Sequence, residues 1–421
     1  MSSQKTVILV DPLASGAILK SIAKSMGYTV FAVYTLNIEK HLDAYGLREV
    51  VAQDTDRYYF SSKVDQFLSS PDLAPGEICA VIAAAESGVL FADELAWKLG
   101  LRCNDYALSQ ARRDKFEMRK AVSARGLRCP RFQKCTSQAD LDAFMRDSSF
   151  PVVIKTPMGA GANLVFVCHN FAELVDGFKQ ITSSRNLFGL TSDYAVIEEY
   201  INGEELVVNL FGDGQEFHAT DLWTYDKINL GNRRNLYYNA IQKNGEEAYW
   251  EKAIAYAVEV ARSVGIKLGP AHVELRMHEG EPVLMEVGGR LPGAGFPELC
   301  RLGSNFDTSA ATIEVFVKGQ VDVPKPVVFS HAVGVAFCPI ESGGTVSRIK
   351  GLEEIKRLPS YRGHELLAAP GAKVKATVDL PTTPLQVHLG HPKPAQMRSD
   401  MNATHELFGL EFAEEHLRDG S

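Results

Sequence analysis

Apolar positions in the first hundred residues come in continuous runs separated by helical stripes. Thr6–Val10 is an unbroken apolar segment that runs into Asp11-Pro12 and a turn of small residues. Ile18, Ile22 and Met26 then recur at helical spacing until Gly27. Tyr28–Tyr34 and Ile78–Ala84 repeat the strand pattern, the second followed by a stripe through Phe91, Leu95 and Leu99. Apolar runs joined by helices predict a parallel sheet covered on both faces. Residues 109–125 predict a basic helix stopped by Gly126. Beyond it come a strand at Val152–Lys155, a small-residue loop from Met158 to Asn163, and a strand at Leu164–Cys168. A helix near Phe171–Lys179 and a strand at Tyr194–Glu198 follow, and from Leu206 the alternation is antiparallel, with a long helix at Glu246–Val264. The fold class is α/β, α+β in parts, with a β-rich end. Three regions are expected: 1–105 as an N-terminal α/β domain, 106–204 as a central subdomain carrying the glycine loop, and 205–421, subdivided near 310.

The segment richest in chemistry is a hairpin. Ala271–Met277 and Val283–Arg290 flank a turn centred on Gly280. Symmetric pairing sets Glu274 opposite Glu286. It puts Val273, Leu275, Met277, Val283, Met285 and Val287 on one apolar face, with His272, Arg276 and Gly288 beside the two acids. Directly opposed side chains have Cβ atoms roughly 4.5–5.5 Å apart. Two carboxylates there repel, and a divalent cation with oxygen ligands relieves them; a hydrated surface face is the alternative. The turn Gly288–Gly295 follows, and its Arg290 suits a carboxylate or phosphate. Lys155 ends a strand beside the 158–163 loop, a combination suited to a polyphosphate, although the loop lacks the Gly-Lys-Ser/Thr ending of a P-loop.

Composition narrows the class. Hydrophobic residues make up 45% and charged ones 23%, as in a globular protein, and the net charge of −8 argues against nucleic acid or an anionic membrane as partner. No apolar run approaches the length of a membrane span, and Met1–Lys5 begins no secretory signal, so a cytoplasmic location is expected. The seven cysteines form no Cys-x-x-Cys pair and are expected to be reduced.

Four segments in order resemble the ATP-grasp superfamily. They are the Arg113-Asp114-Lys115 helix, Val153–Pro157 with its loop, Glu198–Glu205, and the Glu274…Glu286-x-x-x-Arg290 hairpin. The turn Val10–Gly16 is similar to the branch of bacterial L-amino-acid ligases of the bacilysin and dapdiamide synthesis type. The resemblance implies ATP and Mg²⁺ (or Mn²⁺) as cofactors and small-molecule amino acids or acids as substrates. It also implies antibiotic or dipeptide synthesis as the setting and a homodimer as the assembly. It implies that Lys115 and Lys155 contact ATP, that Met158, Gly159, Gly161 and Asn163 close over the phosphates, and that Glu198 with the backbone of Glu199, Tyr200 and Ile201 reads adenine. Glu205 would take the ribose, Glu274 and Glu286 the metal, and Arg290, with Lys155 catalytic, the activated carboxylate. Gly288 stands where the family often has asparagine, which implies one fewer oxygen ligand. Arg234, Tyr225 and Gly293 are candidate substrate residues, the first two from a segment, Trp223–Tyr238, that mixes aromatic with basic side chains. His272 is expected to serve as a hydrogen-bonding group. The expected reaction makes an amide through an acyl-phosphate; a purine-type or biotin-dependent carboxylase, a kinase, and a non-catalytic ATP-binding regulator are the competing classes.

Overall fold

A computed structural model describes residues 5–35, 51–70, 73, 77–186, 189–231, 233–247 and 249–413. Contacts divide the chain into two units. The first comprises Met1–Leu222, Gly245–Pro297 and Phe306–Val327, the second Trp223–Asn244, Glu298–Asn305 and Val328–Ser421.

In the first unit, β1 (Thr6–Val10), β2 (Thr29–Tyr34), β3 (Arg57–Phe60) and β4 (Ile78–Ala83) form a parallel sheet in the order β3-β2-β1-β4. Alternate residues of β1 enter different cores. Val7 and Leu9 pack with Leu19 and Ile22 of helix Ile18–Ser25, whereas Ile8 and Val10 pack with Phe91 and Leu95 of helix Val89–Lys98. Both faces are thus covered, as unbroken apolar strands require.

β5 (Phe132–Cys135), β6 (Val152–Lys155), β7 (Val165–Cys168) and β8 (Ala195–Glu199) make an antiparallel sheet ordered β5-β8-β6-β7. Helices Gln138–Met145 and Phe171–Ser183 bury Leu141, Phe144, Leu174 and Ile181 against it. The basic helix is shorter than periodicity predicts. Only Lys115–Ala124 is α-helical, because Asp114 caps it by accepting from the Phe116 and Glu117 amides.

β9 (Glu204–Asp213) and β10 (Phe217–Leu230) follow, β10 leaving the first unit after Leu222, and β11 (Arg233–Lys243) lies in the second. β12 (Leu268–His278) and β13 (Glu281–Gly288) form the predicted hairpin, and β12 also pairs with β9. Helix Tyr249–Ser263 packs Trp250, Ala257 and Val260 against this layer. Glu274 pairs with Glu286, but a bulge follows immediately, so Leu275 pairs with Leu284. One extra residue reverses the side-chain phase beyond it. Leu284, not Met285, therefore joins the core, and Val283 pairs with Arg276, which corrects the expected apolar face.

In the second unit, β14 (Ala332–Cys338), β15 (Gly344–Lys350), β16 (Tyr361–Leu366), β17 (Lys373–Val374), β18 (Leu385–His391) and β19 (Gly409–Phe412) follow. β11, β14, β18 and β16 are neighbours in that order, all antiparallel, and β17-β15-β19 is a separate small sheet. Helix Pro394–Leu407 covers one face through Met397 and Met401. Among the described residues no helix is long and apolar enough to cross a membrane, and the seven cysteines are free thiols.

Candidate active site

The hairpin presents its two acids side by side, and a lysine from another element reaches one of them. Lys115 Nζ lies 2.8 Å from Glu286 Oε1 and 3.3 Å from the Gly159 carbonyl. It opens its helix, whose first amide donates to the Pro157 carbonyl, so the helix start is tied to the end of β6. Its side chain is buried, not on a solvated helix face. Crowding alone would raise the Glu286 carboxyl, but Lys115, then Lys155 and Arg290, outweigh it and hold the group below the ordinary carboxylate range.

Glu274 has His272 beside it on the same strand, and that ring is fixed from its other nitrogen. His272 Nε2 is 3.2 Å from Glu274 Oε1, and its Nδ1 is 2.7 Å from Asn209 Oδ1. Asn209 in turn donates its amide to Asp221, which also accepts from Thr220 Oγ1 at 2.8 Å. A carboxylate only accepts, so the Asn209 nitrogen faces Asp221 and its oxygen faces the ring. His272 Nδ1 therefore carries the hydrogen, and Nε2 is aimed at Glu274. The hydrogen-bonding role expected for His272 is what the geometry shows. Asn209 and Asp221 escaped the sequence reading; a lone Asn in the apolar run Leu206–Phe211 was the signal.

Lys155 and Glu198 form the second cluster. Glu198 is 2% exposed and lies 2.7 Å from Lys155 Nζ and 3.0 Å from Arg119 Nε. Arg119 Nη2 also donates to the Met285 carbonyl at 2.7 Å, clasping the hairpin bulge. Burial pushes the Lys155 ammonium down to about 8, against the pull of Glu198. Burial would raise Glu198, yet Arg119 and Lys155 hold it below its usual range. Glu198, linked to adenine by resemblance, is thus engaged on both oxygens by cations, and Arg119 is a member the sequence did not announce. Of the following residues, Glu199 is exposed, Tyr200 half-buried and Ile201 buried. The Glu199 amide donates to Arg131, the Ile201 carbonyl accepts from Arg276 at 2.7 Å, and Arg276 also holds Glu205 at 3.1 Å. In the loop, Gly161 (φ 62°) and Ala162 (φ 64°) adopt left-handed backbone, the Asn163 amide bonds to Ala160, and the Met158 carbonyl accepts from Asn186.

Arg290 Nε lies 2.7 Å from Glu86 Oε2, and Arg113 Nη1 lies 2.7 Å from Glu86 Oε1. A Cβ on residue 288 would come within 2.8 Å of Glu86 Oε2. The missing side chain of Gly288 is what admits Glu86. Glu86 was missed, though it follows the carboxyl end of a parallel strand, where ligands of such sheets bind. Gly293 is exposed in the turn after Arg290. Tyr225 belongs to the second unit, its ring 4.9 Å from Tyr237, and for Arg234 only its place on β11 is described.

Residues 148–298 match the family model of the ATP-grasp domain. A dapdiamide A synthase of Enterobacter agglomerans is 28% identical over 299 residues, 70% of each chain. An L-arginine-specific L-amino acid ligase of Bacillus subtilis is 22% identical over 305 residues, 71% of this chain and 72% of that one. Among solved structures, an L-amino acid ligase from Bacillus licheniformis matches with a TM-score of 0.79 at 17% identity, over 98% of this chain and 100% of its own. An N5-carboxyaminoimidazole ribonucleotide synthetase from Thermotoga maritima matches at 0.69 and 15%, over 97% and 100%.

Proposed function

We propose that this chain, which has the ATP-grasp fold and carries an ATP-grasp domain at residues 148–298, is an ATP-dependent ligase joining the carboxylate of one amino acid to the amine of another. One observation carries the choice of substrate: Arg290 and Glu86 form an ion pair whose charge reaches Glu286. A zwitterionic α-amino acid offers the matching opposite charges. Its carboxylate would replace Glu86 on the guanidinium, and its ammonium would take the freed Glu86 oxygen.

The chemistry follows from charge. The substrate carboxylate oxygen attacks the γ-phosphorus, the bond to the β-phosphate oxygen breaks, and ADP leaves. The second substrate's amine attacks the acyl carbon, phosphate departs with the bonding pair, and the amine loses its proton to phosphate or water. Phosphoryl transfer of this kind needs positioning and charge neutralisation more than covalent help. Lys155 and Lys115 would hold the phosphates, the loop 158–163 would close over them and exclude water, and Arg290 would steady the reacting carboxylate. The backbone of residues 199–201 would take adenine, and Glu205, braced by Arg276, the ribose. Glu198 would orient Lys155 in place of contacting the base.

The donor set fits Mg²⁺ or Mn²⁺: two hard carboxylates directly opposed, with a single lysine for neutralisation. Glu274 and Glu286 would hold the ion, which would supply charge to the phosphate oxygens. On the same resemblance we place the enzyme in the cytoplasm, as a homodimer, making a dipeptide-like amide.

The test is phosphate release with ATP, Mg²⁺ and amino acids offered in pairs, with mass spectrometry of the products. The expected result is one phosphate per amide formed. Turnover that requires bicarbonate and yields a carboxylated product would replace the ligase with a carboxylase of the same fold. ATP binding without phosphate release from any pair would leave a nucleotide-binding regulator.

A further inference from the structure

His272 stands two residues before Glu274 on β12. Across the hairpin Glu274 pairs with Glu286 and His272 with Gly288, so these four positions share one face. Position 288 carries no side chain. Three donor groups remain there: one ring and two carboxylates.

The ring is oriented by a buried chain of polar groups. Asp221, Asn209 and His272 are all buried. Asp221 only accepts, taking the Thr220 hydroxyl and the Asn209 amide nitrogen. That leaves Asn209 Oδ1 for the ring, 2.7 Å from His272 Nδ1. Nδ1 donates, and in the neutral ring Nε2 is then a bare lone pair. A buried partner that takes the far N–H and so fixes the tautomer is how proteins prepare an imidazole to bind a metal.

The lone pair faces a carboxylate oxygen. His272 Nε2 and Glu274 Oε1 are 3.2 Å apart. Two lone pairs at that distance repel unless a cation, a proton or a metal ion, lies between them. Among the described residues no lysine or arginine pairs with Glu274, and Lys115 is engaged with Glu286. The spacing separates the two cations. Charge-assisted N–H···O bonds run to about 2.7–2.9 Å, shorter than this gap. Donors about 2.1 Å from one ion stand about 3.0 Å apart at right angles and about 3.4 Å apart at a tetrahedral angle, and the gap lies within that range.

We propose that His272 Nε2 is a third protein ligand of the cation that Glu274 and Glu286 would hold, presented by Asn209 and Asp221 as positioning residues. The inference rests on the metal role proposed above for the two acids. It adds a nitrogen donor to an all-oxygen set. Imidazole strengthens binding of first-row transition ions, whereas Mg²⁺ prefers oxygen. Removing the ring nitrogen should therefore weaken Co²⁺ far more than Mg²⁺.

The test loads the full chain with Mn²⁺ and inorganic tripolyphosphate, which brings no nitrogen of its own, and reads electron spin-echo modulation. The spectrum should show a coupled nitrogen and should change when histidine alone carries the heavy nitrogen isotope. The coupling should vanish in His272→Asn, whose amide can keep the contact to Asn209 but does not reach the position of Nε2. Calorimetry should find Co²⁺ binding at least about tenfold weaker in His272→Asn, the lower end of what even a supporting group is worth, with a smaller change for Mg²⁺. Asp221→Asn lets the Asn209 amide turn and the ring take its other tautomer, so it should cost Co²⁺ affinity about tenfold as well. A loaded protein without histidine coupling, or equal Co²⁺ affinity in the unaltered chain and His272→Asn, overturns the proposal. Should His272→Asn fail to fold, the isotope comparison on the unaltered chain decides alone. Histidine coupling with no phosphate release from any amino-acid pair leaves the third ligand standing and fells the ligase function; phosphate release without coupling does the reverse.

Discussion

Two clusters in the first unit are built with opposite excess. Around Glu198 a single carboxylate faces two cations, Arg119 and Lys155. Across the β12–β13 hairpin two carboxylates, Glu274 and Glu286, face a single lysine. Burying net charge is expensive unless something compensates it. On the function proposed above, an anion would complete the first cluster and a cation the second, and a metal–polyphosphate complex would supply both. On that reading, the residues whose charge the fold leaves unbalanced point to a ligand more than those it satisfies.

The comparison breaks most severely at Glu286. Glu286→Gln removes one of the two carboxylates, and with it the negative excess, and is expected to lower kcat by about 10³-fold or more, the scale of a lost transition-state electrostatic contact. Circular dichroism should be unchanged, and a near-normal rate of phosphate release would refute the metal role. Glu198→Gln strands two buried cations. It should destabilise the fold by about 3–5 kcal/mol, read as a fall in urea midpoint, less whatever Lys155 recovers by shedding its proton.

A pH titration sharpens the same contrast. The Lys155 pKa is lowered to about 8 in the fold, well beneath its unfolded value, so the folded protein gives up that proton first. Folding stability associated with this group therefore rises with pH above about 8. ATP affinity moves the other way and should fall as pH climbs from 8 towards 10, because the phosphate's partner is then neutral. Lys155→Arg should flatten the affinity profile, measured by nucleotide binding so that amine deprotonation in the substrate does not intrude. The smallest effect is expected from Gly288→Ala. Its methyl would press on Glu86, so the amino-acid KM should rise several-fold while the KM for ATP stays put.

Much of the site was legible because its key pair is local. Glu274 and Glu286 are twelve residues apart on two strands joined by a short turn, and period-2 alternation brings them together. The bulge was not legible, since one inserted residue leaves no compositional mark, and it reassigns Leu284 and Met285. Arg119 and Glu86 were missed for another reason. Each acts through a contact distant in sequence, Arg119 on Glu198 and Glu86 on Arg290, and no periodicity encodes such a pairing. Lys115 shows the same limit in reverse, because only its tertiary partner separates it from an ordinary solvated helix residue. The β3-β2-β1-β4 sheet was foreseeable as parallel from its unbroken apolar strands.

Gly288 and Glu86 occupy what is effectively one volume, reached from two segments some two hundred positions apart. Among descendants of this chain, a larger residue at 288 should survive only alongside a shorter one at 86. The two sites are expected to change as a couple, and transplanting either alone into a sister enzyme should cost amino-acid binding before it costs anything else.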